Sequence, residues 1–222
     1  MALVKGMADD VRALLDVKAP VVDADAADTA IFYSISNCQR GLTGISFGDF
    51  LIKRVVDRLA AELPHLKTYA TLSPVPRFRG WLERQLAKGG DPLTPAERKE
   101  LPEEVRDVEL GVLLVRPHWY DDLALVAALR PPLMRLCARY LLLEKRPSGT
   151  ALDSVAHFHL TNGARIEQID WAADLSPNGL KQSLGLMINY LYRLSEIEHN
   201  HEAYVSDHHV AASTAVQRLA KM

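Results

Sequence analysis

One candidate residue for chemistry in this sequence is a serine that precedes a proline. Ser73 follows a short run of β-branched and aromatic residues, and Pro74 keeps it out of helical geometry. We therefore expect its hydroxyl at the carboxyl end of a strand, the edge at which parallel sheets bind ligands. A serine before proline is also an ordinary turn residue, so catalysis by Ser73 requires a partner.

Two histidines, His157 and His159, lie in the segment VAHFHL. If this segment is extended, both imidazoles share one face. A metal site would need a third ligand, and the remaining histidines of this region lie in a polar tail with no clear structure. Metal binding, acid or base catalysis by one histidine, and plain packing or surface roles all stay open.

An aromatic segment, NYLY at residues 189–192, is predicted to lie in a strand. Alternate side chains of a strand share a face, so Tyr190 and Tyr192 are expected together, an arrangement typical of a core. A phenol next to a histidine can also donate to a developing oxyanion.

A glycine-rich loop separates a predicted strand from a predicted helix. Its glycines allow several backbone N–H groups to converge, and the helix dipole adds partial positive charge, so the loop could hold a pyrophosphate. It lacks the Lys-Ser/Thr ending of a P-loop and the spacing of a Rossmann fingerprint, and a tight turn that binds nothing is the alternative. The candidate binding residues are Gln39, Arg40, Gly41, Gly44, Ile45, Ser46 and Gly48. The geometry resembles the pyrophosphate loop of GNAT-type acyl-CoA enzymes.

The elements around these residues predict an α/β (α+β) fold. A strand at 29–36, an amphipathic helix at 47–63 and a strand at 67–72 form a β-α-β crossover with a parallel strand pair. We expect one domain over 1–222 with a helical insertion at 78–150. Further elements are predicted as a strand at 2–5, helices at 7–15, 81–86, 95–101, 121–129 and 133–143, strands at 165–171 and 186–194, and a helix at 211–219.

Composition limits the possible functions. With 222 residues, 48% hydrophobic and 24% charged, the chain suits a soluble enzyme or binding module. The formal net charge of −2 argues against nucleic-acid binding, and no apolar run reaches membrane-spanning length. Two cysteines give little support to disulfides or thiolate metal sites, so a cytoplasmic location is expected.

Six sequence blocks, taken in order, resemble the C-terminal catalytic domain of malonyl-CoA decarboxylase. They are SISNCQRGLTGISFG, FLIKRVV, TLSPVP, RPPLMRLCARYLLLEKR, VAHFHLTNGARIEQIDWAAD and GLMINYLY, within residues 28–204. The resemblance implies a GNAT-like mixed sheet flanked by helices, which binds malonyl-CoA and releases CO2 and acetyl-CoA. It implies no metal or prosthetic group, because coenzyme A enters as part of the substrate.

The resemblance also assigns residues. The serine of the LSP block and the histidine of the FHL block are the catalytic pair of that family, and they fall on Ser73 and His159. The site tyrosine of the NYxY block falls on Tyr192, and the coenzyme A loop falls on residues 39–48. The family's N-terminal helical domain, which serves in oligomer contacts, is missing here, so we expect a truncated chain that forms homo-oligomers.

In the implied reaction, Ser73 orients the malonyl group, and His159, with Tyr192, stabilises the enolate and delivers a proton to carbon. Arg77 stands where the family usually has glycine, and Ser46 where some members carry glutamate. Three rival functions stay open: a GNAT-type N-acyltransferase, a non-catalytic malonyl-CoA-binding remnant, and, least favoured, a zinc hydrolase built on the tail histidines.

Overall fold

A mixed sheet covered by helices organises the chain. The computed structural model describes residues 1–20, 23–35 and 48–222, with the backbone alone at 48–51. Within these residues the strands are β1 (Ala2–Val4), β2 (Thr29–Phe32), β3 (Thr68–Thr71), β4 (Ser73–Pro74), β5 (Arg165–Asp170) and β6 (Met187–Leu191). The helices are α1 (Val11–Leu15), α2 (Gly48–Glu62), α3 (Phe78–Ala87), α4 (Pro95–Lys99), α5 (Leu110–Val115), α6 (Leu123–Leu143), α7 (Ser154–Thr161), α8 (Pro177–Ser183), α9 (Ile197–Asp207) and α10 (Thr214–Lys221). The predicted fold class is confirmed.

The sheet joins a parallel pair to antiparallel neighbours. Strands β2 and β3 are parallel, with Ala30 opposite Tyr69, and α2 connects them as predicted. Strand β1 runs antiparallel to β2, and β6 runs antiparallel to β3, β4 and β5. Strand β6 therefore contacts three strands, and the candidate catalytic residues lie around it.

Apolar side chains cover both faces of the sheet. One face belongs to the main core, in which Phe78, Trp81 and Tyr140 pack with ring centroids 5.2–5.9 Å apart. The opposite face buries a smaller cluster that includes Leu72. The segment around α1 packs on this second face, so residues near the N-terminus shield the sheet from water.

The predicted break between helices at Pro131 and Pro132 is wrong. Residues 123–143 form the single helix α6 with both prolines inside it. Each proline removes a backbone donor. However, Leu129 and Leu133 on either side of them are fully buried, and this packing favours one continuous helix.

Two further segments differ from expectation. The VAHFHL segment is not extended but lies in α7, because Asp153 caps its first turn by accepting from the backbone N–H groups of Val155 and Ala156, both at 2.9 Å. The polar histidine-bearing tail includes helix α9, which packs against α7. Helix formation therefore separates the two histidines that a strand would have aligned.

Candidate active site

Ser73 lies at the junction of two short strands. Strand β3 ends at Thr71, and Ser73 opens β4, where it pairs with Ile188 of β6. The prediction that this strand ends at Ser73 is thus wrong by two residues, because β3 ends at Thr71. The serine still lies at the carboxyl end of β3. Its side chain is buried, with 6% of the residue exposed.

His159 contacts the serine from the neighbouring helix. Its Nε2 atom lies 3.1 Å from the Ser73 Oγ, and its Nδ1 lies 2.7 Å from the Tyr192 hydroxyl. The three residues predicted to be catalytic are therefore joined by hydrogen bonds. All three are buried, with 2% of His159 and 1% of Tyr192 exposed.

His157 points elsewhere, because residues two apart on a helix project on opposite sides. Its Nδ1 atom lies 2.8 Å from the hydroxyl of Tyr204 in α9. The same kind of phenol–imidazole contact thus occurs twice on α7, once at the serine and once away from it. His159 is therefore a residue of the candidate site, and His157 is a packing residue.

The hydrogen bonds around Ser73 can be oriented from their geometry. Ser73 Oγ donates to the Thr71 hydroxyl at 2.9 Å, which leaves the serine oxygen to accept from His159 Nε2–H. A neutral imidazole carries one proton, so Nδ1 must accept from the phenol of Tyr192. We therefore assign one direction to the chain, from Tyr192 through His159 and Ser73 to Thr71.

Burial controls the charge of this chain. It lowers the pKa of His159 to about 3, so the imidazole is neutral at pH 7. Burial also raises the pKa of Tyr192, so the phenol keeps its proton. The site accordingly offers neutral donors rather than an imidazolium.

Tyr190 packs directly against the imidazole. Its ring is stacked on that of His159, with centroids 4.3 Å apart and planes 23° apart. Its hydroxyl is buried and makes no hydrogen bond to the described residues. The stacked ring fixes the plane of the imidazole, which in turn aims both ring nitrogens.

A buried carboxyl supports the helix that carries His159. Asp153, the cap of α7, also accepts a hydrogen bond at 3.2 Å from the Tyr140 hydroxyl. Burial raises the pKa of Asp153. The cap thus ties α7 to α6 beneath the site.

Two contributors to the site, Thr71 and Asp153, were missed from the sequence, and Tyr190 was named there without its stacking on His159. Asp before a helix start is a capping signal, and Asp153 with Gly163 brackets α7. Nearby residues in the sequence do not indicate the role of Thr71 or the stacking of Tyr190 on His159. Both depend on how the strands pair with β6.

Most of the predicted coenzyme A-binding residues lie outside the described residues. They are Gln39, Arg40, Gly41, Gly44, Ile45 and Ser46. Gly48 is the first residue of α2, as expected for a loop that ends at a helix N-terminus.

Among the described residues, no group of three or more His, Cys, Asp or Glu side chains is arranged to hold a metal ion. In the same residues, no helix has the length and apolar character needed to cross a membrane.

Comparison with known proteins adds the family. The model of the malonyl-CoA decarboxylase C-terminal domain matches residues 1–222. The chain belongs to this family. A mitochondrial malonyl-CoA decarboxylase of the goose Anser anser anser is 44% identical over 203 residues, and that of Rattus norvegicus is 44% identical over 199.

Solved malonyl-CoA decarboxylases have the same fold. The structure from Rhodopseudomonas palustris matches with a TM-score of 0.84 and 44% identity, and that from Agrobacterium vitis with 0.86 and 46%. Each match covers 98% of this chain, and 48% and 51% of those chains respectively. The goose and rat matches cover 87% and 86% of this chain but 40% of each relative, so the chain spans less than half of their length.

Proposed function

We propose that the chain catalyses the decarboxylation of malonyl-CoA to acetyl-CoA and CO2. The observation that carries the proposal is the buried chain of hydrogen bonds from Tyr192 through His159 to Ser73. Membership of the malonyl-CoA decarboxylase family supports the choice of substrate.

The reaction requires stabilisation of an enolate. When the bond to the carboxyl carbon breaks, CO2 leaves and the electron pair moves into the thioester, which delocalises it without an external electron sink. Donors fixed around the thioester oxygen lower the barrier, because charge develops there only in the transition state. The Ser73 hydroxyl is the donor proposed for that oxygen, and the Nε2–H of His159 polarises it by donating to the serine oxygen.

The same chain can return a proton to carbon. In our proposal Ser73 turns its O–H from Thr71 to the substrate and transfers the proton to the enolate carbon. The Nε2–H of His159, kept on that nitrogen by Tyr192, stabilises the serine oxygen until a proton returns to it. Solvent restores the chain after acetyl-CoA leaves.

Coenzyme A arrives as part of the substrate, and we propose no metal or prosthetic group. Residues 39–47 precede α2 in the sequence and Gly48 opens it, so the backbone N–H groups at the start of that helix favour a pyrophosphate nearby. The proposed binding residues are the seven named for this loop.

The test compares two histidines of one helix. We expect the purified chain, given malonyl-CoA and no acceptor, to release CO2 and form acetyl-CoA. His159→Ala should lower kcat at least about a hundredfold, the low end for acid–base catalysis. His157→Ala, which loses a matching contact with Tyr204, should keep the parent rate.

Other outcomes identify the rival functions. Turnover that requires an added amine would indicate an N-acyltransferase. Coenzyme A binding without turnover would indicate a non-catalytic binding domain, and equal rates for the two histidine variants would refute the role of His159.

We also propose that residues 1–222 form one domain with residues 78–150 as a helical insertion. The domain assembles as a homo-oligomer and is located in the cytoplasm. The vertebrate relatives are named mitochondrial, so localisation of a tagged protein in its own cell is the relevant measurement. Light scattering of the purified chain measures the oligomeric state.

A further inference from the structure

A basic groove lies between α3 and α8, outside the catalytic residues. Its volume is about 680 Å³, and Arg77, Arg84 and Lys181 line it. All three side chains belong to exposed residues. The groove is therefore open to a ligand from solvent.

The positive charge of the groove exceeds the negative charge of the residues that line it. Among those that line it, the single carboxylate is Glu83, and Arg79 engages it at 2.9 Å. Arg79 also donates to the carbonyl of Leu180 at 3.3 Å, which ties α3 to α8. Within residues 1–20, 23–35 and 52–222, no hydrogen bond or ion pair engages the side chain of Arg77, Arg84 or Lys181. Three positively charged side chains thus line one groove, and among the described residues no anionic group pairs with them.

The groove opens at the edge of the sheet that carries Ser73. Arg77 follows Ser73 by four residues, beyond the carboxyl end of β3. The candidate coenzyme A loop lies between the carboxyl end of the parallel strand β2 and the start of α2 at Gly48. Since parallel strands end at one edge, the carboxyl end of β2, the serine and Arg77 lie toward that edge.

We propose that this groove binds the phosphomonoester of the acyl-CoA nucleotide, with Arg84 and Lys181 as its ligands. This inference rests on the proposed function, because it assumes a coenzyme A thioester at Ser73. Coenzyme A carries a pyrophosphate and a separate phosphate on its ribose. If the loop before α2 takes the pyrophosphate, the second phosphate needs a cationic site of its own, and guanidinium and ammonium groups bind phosphate with charge-assisted hydrogen bonds.

The test measures binding, so it does not depend on turnover. Calorimetry compares coenzyme A with 3′-dephospho-coenzyme A for the parent chain and for the double variant Arg84→Glu/Lys181→Glu. We expect the parent to prefer coenzyme A at least about tenfold, as for one charged hydrogen bond, and the variant to lose this preference. Binding of the dephospho ligand should stay unchanged.

Arg130→Glu is the matched control, because it reverses a charge at an exposed position of α6 away from the groove. It should keep the preference. Equal affinity of the parent for both ligands, or equal losses of both in the double variant, would overturn the inference. If inorganic phosphate binds with the same dependence on Arg84 and Lys181 while the two coenzymes bind alike, the groove is a free-anion site and the assignment is wrong.

If the preference is found but malonyl-CoA is not decarboxylated, the groove assignment stands and the proposed reaction fails. If decarboxylation occurs without the preference, the reverse holds. The two proposals are therefore separated by one pair of assays.

Discussion

Removing one hydroxyl group from Tyr192 tests the direction of the hydrogen-bond chain. In Tyr192→Phe the ring remains, but Nδ1 of His159 loses the donor that lies 2.7 Å away in the parent. A buried acceptor without a donor costs about 1–3 kcal/mol. The imidazole can then place its single proton on Nδ1, and Nε2 would present a lone pair to Ser73 instead of a donor.

The loss of the Nε2 donor should appear in kcat. If the 1–3 kcal/mol is expressed in the transition state, kcat for malonyl-CoA falls about fivefold to 150-fold. KM should change little, because the phenol lies behind the imidazole rather than against the proposed substrate. Steady-state release of CO2 gives both constants, and urea denaturation gives the free energy of unfolding.

Tyr204→Phe is the matched control for this experiment. Tyr204 makes the same contact with His157, at 2.8 Å, and its oxygen also accepts from the backbone N–H of Ala151 at 2.9 Å. Both variants should lower the free energy of unfolding by about 1–3 kcal/mol, but only Tyr192→Phe should lower kcat. If the two variants have the same kcat, Tyr192 is a packing residue and the assigned chain is refuted.

Three further predictions concern stability. Burial lowers the pKa of His159 from 6.5 to about 3, so the unfolded chain binds a proton at a higher pH than the folded chain does. The free energy of unfolding therefore falls as the pH drops from 6.5 toward 3. Urea titrations should show a loss of about 2 kcal/mol at pH 5 from this residue, and no such loss in His159→Gln. Asp153→Ala removes the cap of α7 and should cost about 1–2 kcal/mol and also lower kcat, whereas unchanged values would contradict the supporting role of the cap. Gly163→Ala, whose Cβ would lie 2.2 Å from the Ile197 carbonyl oxygen, should lower the melting temperature more than Gly89→Ala, which meets nothing within 4 Å at a similar positive φ. Equal shifts would exclude the clash.

Local patterns predicted the parts of the fold that depend on neighbours in sequence. The apolar spacing of α2 and the β-branched strands on either side of it gave the β-α-β unit and its parallel pair. The same reasoning failed at α6, where burial of Leu129 and Leu133 outweighs two prolines. Periodicity could not anticipate that outcome, because it depends on what α6 packs against.

The site divides in a similar way. Ser73, His159 and Tyr192 were named from the family resemblance, and their hydrogen bonds join residues 86 and 33 positions apart. Spacing alone did not decide the conformation of the histidine segment, since alternating apolar residues in a short run fit a strand or a helix. The cap at Asp153 was the local signal that favours a helix, and the helix is what separates His159 from His157.

The neutrality of His159 bears on how such a site would favour loss of CO2. An imidazolium beside the substrate would pair with the malonyl carboxylate and stabilise the ground state, which works against catalysis. Burial removes that charge, while the phenol of Tyr192 keeps the imidazole proton on Nε2, toward Ser73. A neutral donor binds the uncharged thioester oxygen weakly and the enolate oxygen strongly, so its contribution grows as the carboxylate leaves.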